Sequence, residues 1–226
     1  MAPSLRVLRD RWRDPLLTAL TVLLALLLFV LAPLRADNIP GGQEAGFALV
    51  AVVTGVTFFI SGKPIAFTAL LVAIGLAGAA ALFRLQQPSN LDIYLDASAW
   101  LLLGLALIFE VGRAVFAPGR VTYHRVMGAI LLYLAIGVIF VALFTFAGVA
   151  APDAFSGMRI EDRSSLAANM IYFSFGTLTG AGAGDIAAMH PVARSLTNLA
   201  SIFGQLYPAT LLARLVTLEI EDSGRS

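Results

Sequence analysis

Cysteine is absent from this chain of 226 residues, and histidine occurs only at His124 and His190. Without cysteine the fold has no disulfide bonds and no thiolate ligands for a metal. Two histidines are also too few to build a histidine-ligated metal centre within one chain. The sequence therefore predicts no resident cofactor and no structural metal.

Charged side chains are scarce as well, at 13% of the residues, whereas apolar residues make up 59% and the mean hydropathy is +0.87. About a quarter of the residues in a typical soluble domain are charged, so this composition predicts an integral membrane protein. The formal net charge of +1 gives no reason to expect nucleic acid as a partner. Lipids are the expected surroundings.

Apolar runs near 20 residues are long enough to cross a hydrocarbon core of about 30 Å as helices. We expect an all-α membrane fold with six such helices, at about 15–34, 45–60, 65–83, 91–116, 126–147 and 193–218. With the N-terminus in the cytoplasm, ten of the 15 Lys and Arg residues fall on the cytoplasmic side. This bias follows the positive-inside rule, and it predicts a cytoplasmic N-terminal segment at 1–14 and a cytoplasmic tail at 221–226.

The fourth predicted helix lacks the arginine at every third position with which a voltage sensor moves charge across the membrane. Residues 15–116 are therefore expected to form a four-helix membrane domain without voltage-sensor arginines.

One stretch, from Tyr172 to Asp185, cannot cross the membrane as a helix. The apolar run that leads into it, from about Leu166 to Thr179, would be roughly 20 Å long at 1.5 Å per residue. Glycines then alternate with alanines up to the acid. Non-helical backbone at membrane depth must be covered by protein or must line water. The pattern favours a re-entrant segment whose carbonyl oxygens face a passing ion.

Two other interpretations of these alternating glycines and alanines exist. Small residues are common where membrane helices pack closely, so the run is also compatible with a packing stretch or a flexible loop. A phosphate-binding glycine loop needs a strand before it and a helix after it within a βαβ unit, and the sequence offers no such context.

Between Tyr172 and Asp185, and again at Pro191–Leu196 and Gly204–Tyr207, the sequence resembles the bacterial potassium-channel family with a two-helix pore domain. The likeness covers about residues 120–220. In that family a pore helix runs into a selectivity filter of the type Thr-Val/Leu-Gly-Tyr-Gly-Asp. The resemblance implies a pore domain at 117–220, a homotetramer around a central pore, permeation of K⁺, and a bacterial-type inner membrane.

Alignment on the last glycine and the acid assigns the filter to Gly180, Ala181, Gly182, Ala183, Gly184 and Asp185, and Thr179 could supply the missing hydroxyl only if one extra residue is accommodated before Asp185. Four copies of such a backbone would replace the hydration shell of an ion, with Gly182 and Gly184 where φ is positive or chains crowd. Gly180 stands where the family has threonine, and Ala183 stands where it has tyrosine. A tetramer would therefore lack the four threonine hydroxyls that bind an ion and the four tyrosine rings that pack behind the filter. Such a filter is expected to be less rigid and to admit Na⁺ as well as K⁺. Asp185 would form an acidic ring at the outer mouth; the alternative is a turn residue that caps the start of the last predicted helix.

The last predicted helix supplies the remaining candidates. Gly204 and Pro208 lie one turn apart and are a candidate gating hinge, because proline removes a backbone hydrogen bond and favours a kink. Helix bending without gating is the alternative. Polar side chains recur at helical spacing and are candidates to line a wet cavity below the filter: Asn198, Ser201 and Gln205.

The sequence thus predicts no enzyme, but a tetrameric potassium-channel-like protein that passes cations down their gradient. The alternative is a non-conducting channel homologue that serves as a membrane scaffold or sensor.

Overall fold

The computed structural model describes residues 5–36, 55, 64–86, 89–115, 123–151, 153–160 and 163–223. Within these ranges the chain is mostly helical, as predicted. The second predicted helix, at about 45–60, lies outside the described residues except for Gly55, so the six-span arrangement stays a prediction. In chain order the elements are α1 (Leu5–Leu26), a π-helical turn (Leu27–Leu31), α2 (Ala32–Ala36), α3 (Pro64–Gln86), α4 (Asn90–Val115), α5 (Tyr123–Ala150), β1 (Phe155–Ser156), α6 (Arg163–Thr179), β2 (Ala187–Ala188) and α7 (Pro191–Ser223).

The first helical segment begins at Leu5, well before the predicted start at Pro15, which lies inside α1. The segment continues through the π-helical turn into α2. Its core-facing side carries Leu20, Leu24 and Leu28, each 1% exposed. A spacing of four residues puts these side chains on one face of a helix. The run therefore presents one continuous apolar face to the core, across the change from α-helix to π-helical turn.

Three helical stretches are long and apolar enough to cross a membrane: Leu17–Leu34, Asn90–Arg113 and Tyr123–Ala150. The apolar part of α3, Thr68–Arg84, is shorter. The longest helix, α7, has 33 residues but is not among the three. Its first half carries Asn198, Ser201 and Gln205, and such side chains lower the hydropathy of a helix that is otherwise long enough to span.

The central helix of the fold is α5. It packs against α1 and α4 from the N-terminal part of the chain and against α6 and α7 from the C-terminal part. Leu131, Ala135 and Phe144 are completely buried along its length. A helix covered on several sides must be apolar all round, and α5 therefore joins the first helices to the segment that contains the glycines.

A small antiparallel sheet was not predicted. β1 lies between α5 and α6, and it pairs with β2 so that Phe155 faces Ala188 and Ser156 faces Ala187. Each strand has only two residues, too few for the alternating pattern by which a strand is recognised in a sequence. The sheet ties the segment before α6 to the segment that follows the glycines.

Candidate functional site: a glycine loop at the end of a buried helix

The glycine loop, Gly180–Asp185, begins where α6 ends. α6 has 17 residues, which makes it roughly 25 Å long and still shorter than a membrane core. It starts at Arg163, three residues before the predicted start, and ends at Thr179 as predicted. Gly180 has φ +76°, and its N–H donates to the carbonyl oxygen of Thr177 at 3.2 Å. A glycine in the left-handed region is a usual way to end a helix, because it has no Cβ to clash.

The start of the loop folds back on α6 instead of leaving it. The N–H of Gly182 donates to the carbonyl oxygen of Gly176 at 2.8 Å. A Cβ at Gly176 would lie 3.0 Å from the carbonyl oxygen of Gly182. The backbone of the loop therefore rests directly on the backbone of the helix, and the missing side chain at Gly176 makes this approach possible.

The positive φ angles lie one glycine earlier than we expected. Gly182 has φ +78°, as its place in the alternating pattern suggested, but the second positive φ is at Gly180 and not at Gly184. The reason is the end of α6, since the first glycine is used to terminate the helix. Gly184 has no heavy atom within 4 Å of the position of a Cβ in the described chain.

Most of the loop is exposed on the surface of the single chain. Gly180, Gly182, Gly184 and Asp185 are exposed, and Ala183 is half-buried against the core. Thr179 is exposed too, and its hydroxyl donates back to the carbonyl oxygen of Phe175 at 2.7 Å. The chain thus presents a strip of glycine-rich backbone, with one carboxylate at its far end.

The far end of the loop is held by the sheet. The residue after Asp185 is Ile186, which is 3% exposed, and β2 follows it. Gly157, just after β1, has φ +83°, and a Cβ there would overlap the carbonyl oxygen of Asp185. We call Gly180–Gly182 the helix-side end of the loop and Gly184–Asp185 its sheet-side end.

α6 is locked to α5 by one close crossing. Ser174 is completely buried, and its hydroxyl donates to the carbonyl oxygen of Gly137 at 2.9 Å. The ring of Phe175 fills the space that a side chain at Gly137 would need. The same ring meets Phe29 of the π-helical turn edge to face, with the ring centroids 5.0 Å apart. The helix in front of the loop is therefore fixed in rotation and height.

Three aromatic rings fix α6 to β1 as well. The ring centroids of Phe144 and Phe173 lie 4.9 Å apart, and those of Phe155 and Phe173 lie 5.2 Å apart. Both pairs meet edge to face, a geometry worth about 0.5–1.5 kcal/mol beyond burial. Because Phe155 belongs to β1, this cluster joins α5, α6 and the sheet into one support for the loop.

α7 crosses the end of α6 at Gly204. A Cβ at Gly204 would overlap the carbonyl oxygen of Leu178, so the two backbones touch. The candidate hinge glycine is therefore a close-packing position, and the helix continues through both Gly204 and Pro208 without a break. One turn further on, the hydroxyl of Tyr207 donates to the carbonyl oxygen of Ala129 at 2.7 Å.

The three candidate cavity residues lie at different heights along α7. Arg194 at its start donates to the carbonyl oxygen of Ala188 in the sheet, and Gly204 lies at the end of α6. These contacts are ten residues apart, or roughly 15 Å of helix. Asn198 and Ser201 fall between these two contacts along the helix, whereas Gln205 follows Gly204 and lies near Gly180.

A second polar cluster, on α3 and α4, has a structural explanation. Asp92 is 1% exposed, accepts a hydrogen bond from the N–H of Ser89 at 3.0 Å, and pairs with Arg84 at 3.5 Å. Arg84 also lies 3.9 Å from the carboxylate of Asp96. The carboxylate of Asp92 caps the start of α4. Among the residues that the structure describes, no group of three or more His, Cys, Asp or Glu side chains is placed to hold a metal.

The chain has no match among protein-family models, curated proteins or solved structures. The potassium-channel resemblance therefore rests on the residues quoted above.

Sequence reasoning missed four supporting residues of the loop: Gly137, Gly157, Gly176 and the strand residue Phe155. Glycine in a helix or a loop is a weak local signal, and its partner side chains come from elements far away in sequence.

Proposed function

We propose that this protein is a tetrameric, potassium-channel-like cation channel, in which Gly180–Asp185 lines the narrow part of the pore. The observation that carries this proposal is an exposed strip of glycine backbone at the end of a short buried helix, in a chain with three helical stretches long and apolar enough to cross a membrane. Exposed non-helical backbone at membrane depth must face water or other protein. A water-filled pore shared by several copies meets that requirement.

The direction of α6 favours a cation at the loop. The C-terminal end of a helix carries about half a negative charge, because its last carbonyl oxygens have no partners within the helix. α6 ends at Thr179, and the loop starts at the next residue. The Asp185 carboxylate lies exposed at the other end. A cation would therefore meet partial or full negative charge at both ends of the loop.

The exposed face of α7 supports assembly into a homotetramer. Val192, Leu199, Ile202 and Leu206 follow each other at helical spacing and are 43–58% exposed. Such a face must pack against lipid or against other copies, and it lies on the helix that borders the loop. With four copies around one axis, neighbouring α7 helices would cover part of this face, and the four loops would face each other.

We propose weakened selectivity for K⁺ over Na⁺. Neither Gly180 nor Ala183 carries the side chain that supports a typical potassium filter. The close contact between Gly176 and Gly182 supports the loop through backbone alone. Backbone contact holds the helix-side end in place, but no ring of side chains packs around the carbonyl oxygens that would bind the ion. The diameter of the ion site and the electric field of its carbonyl dipoles are therefore less tightly fixed.

The proposed setting is a bacterial-type inner membrane, with six spans and both termini in the cytoplasm. The three apolar stretches at Leu17–Leu34, Asn90–Arg113 and Tyr123–Ala150 support membrane insertion. In this arrangement α7 also crosses the membrane, and its polar side chains are tolerated because one face of the helix borders water.

The test is cation flux from liposomes that contain the purified full-length protein. We expect K⁺ efflux, with Na⁺ efflux of comparable size, and a homotetrameric mass in detergent. Gly182→Val should abolish both fluxes, because a β-branched residue is strained at φ +78°. The matched control is Gly75→Ala on α3, since Gly75 is exposed and has nothing within 4 Å of a Cβ.

The alternative, a non-conducting homologue that acts as a scaffold or sensor, predicts a different result. Tetramers of wild-type protein that pass no cation in either direction would overturn the channel proposal and favour the alternative. A monomeric, non-conducting protein would contradict both.

A further inference from the structure

The helix-side end of the loop is bordered by a polar side chain from α7. A Cβ built on Gly180 would lie 3.2 Å from Nε2 of Gln205, and no other described heavy atom beyond its chain neighbours comes within 4 Å. Gln205 is itself exposed. Its carboxamide therefore occupies the space next to the position from which a side chain at residue 180 would project.

This placement is fixed by the neighbouring residue. Gly204 touches the backbone of Leu178, so α7 cannot slide along α6 without a clash. The hydrogen bond from Tyr207 to Ala129 holds the next turn of α7 to α5. Gln205 lies between these two contacts, which keeps its Cα at the height of the end of α6.

A carboxamide offers what the missing threonine at position 180 would have offered. Its carbonyl oxygen can face a cation, while its NH₂ group donates to a neighbouring carbonyl oxygen. It is also neutral, so four copies near one axis do not repel each other. A hydroxyl attached to residue 180 itself would be shorter and fixed to the loop, whereas Gln205 reaches the same place from another helix.

We infer that Gln205 supplies the polar ring at the helix-side end of the pore, where it binds a partly dehydrated monovalent cation in place of the absent hydroxyl at Gly180. The inference rests on the proposed channel function and names the residue that sets selectivity there. It predicts that selectivity depends on α7 as well as on the loop.

The experiment compares wild type with Gln205→Leu and Gln205→Glu, each as full-length protein in liposomes, with K⁺ and Na⁺ flux measured separately. Gln205→Leu should lower K⁺ flux by roughly tenfold, the effect of losing one ligand to an ion, and it should change the K⁺ to Na⁺ flux ratio. Gln205→Glu should keep K⁺ flux close to that of wild type and make it sensitive to block by Mg²⁺, because a ring of carboxylates binds a divalent cation. The matched control is Thr210→Val, whose hydroxyl donates to carbonyl oxygens within α7.

The outcomes separate the two proposals. If wild type conducts, and both Gln205 variants keep its K⁺ to Na⁺ flux ratio and its response to Mg²⁺, the role of Gln205 is wrong and the channel proposal stands. If wild type passes no cation, both fall together. If Gln205→Leu fails to assemble, the test is the response of Gln205→Glu to Mg²⁺. A K⁺ flux through Gln205→Glu that Mg²⁺ does not block overturns the inference.

Discussion

The two ends of the glycine loop are supported by different kinds of contact. At the helix-side end, backbone meets backbone: Gly182 rests on Gly176, and Gly204 of α7 touches Leu178. At the sheet-side end, support comes from a pair of two-residue strands and from Gly157, which lies against the carbonyl oxygen of Asp185. The helix-side end rests on the backbone of α6, which α7 also touches, whereas the sheet-side end depends on a sheet of two two-residue strands, held to the core by the ring of Phe155. We therefore expect the helix-side end to govern stability and the sheet-side end to be easier to displace.

The strongest test of this difference is Gly204→Val. A side chain at this position would overlap the carbonyl oxygen of Leu178, so α7 would have to move away from α6. We expect the free energy of unfolding to fall by about 3 kcal/mol or more, as for severe overpacking of a core. Thermal unfolding in detergent, followed by loss of the folded peak in size-exclusion chromatography, measures this.

The control for that substitution is Gly112→Val on α4. Gly112 has no heavy atom within 4 Å of a Cβ, so a valine there should change stability by less than about 1 kcal/mol. Equal losses in the two variants would mean that Gly204 is not a close contact, and a flexible hinge at Gly204 would then regain support.

Gly157→Ala tests the sheet-side end. At φ +83° an alanine is strained, and its Cβ would meet the carbonyl oxygen of Asp185. The cost should be about 1–3 kcal/mol, the usual range for a non-glycine residue in such a conformation. Because only the sheet-side end must move, we expect the variant to stay folded and to lose most of its cation flux. A variant with wild-type flux and lowered stability would show that the position of Asp185 does not depend on Gly157.

Ser174→Ala tests α6, on which both ends depend. The hydroxyl of Ser174 is buried and bonded to the carbonyl oxygen of Gly137, and its loss should cost about 1 kcal/mol. The effect should be smaller than that of either glycine, because the ring of Phe175 still holds the helix at Gly137. The fall in unfolding temperature gives the measure, with Ser98→Ala as the control, since its hydroxyl donates within its own helix at Tyr94. If Ser174→Ala and Ser98→Ala lower the unfolding temperature equally, the hydrogen bond between Ser174 and Gly137 does not help to hold α6 in place.

The two ends also differ in how well the sequence predicted them. The end of α6 at Thr179 was predicted correctly, because a glycine after an apolar run is a strong stop signal. The positive φ at Gly182 followed from its place in the alternating pattern, but the use of Gly180 as the helix stop displaced the second positive φ from Gly184. A local pattern cannot show which of several glycines ends the helix.

The supports of the sheet-side end were not predictable in the same way. The strands have two residues each, and Gly157 and Asp185 are 28 residues apart in sequence while touching in space. Pairing over such a distance is set by the packing of Phe155 against Phe144 and Phe173, not by any local preference. Among the described residues, the helices followed from apolar runs, and their ends differ from the expected bounds; the second predicted helix stays a prediction.

Gly184→Ala should have the smallest effect on the single chain, and for that reason it tests assembly most directly. Gly184 has an ordinary φ and open space around the position of a Cβ, so an alanine should change chain stability by no more than about 0.5 kcal/mol. In the proposed tetramer, four such methyl groups would face one another across the pore and narrow it. We therefore expect a clear loss of cation flux with an unchanged unfolding temperature. Unchanged flux would mean that the sheet-side ends of neighbouring loops do not approach each other, and it would leave the helix-side end, with Gly182 and Gln205, as the only narrow part of the pore.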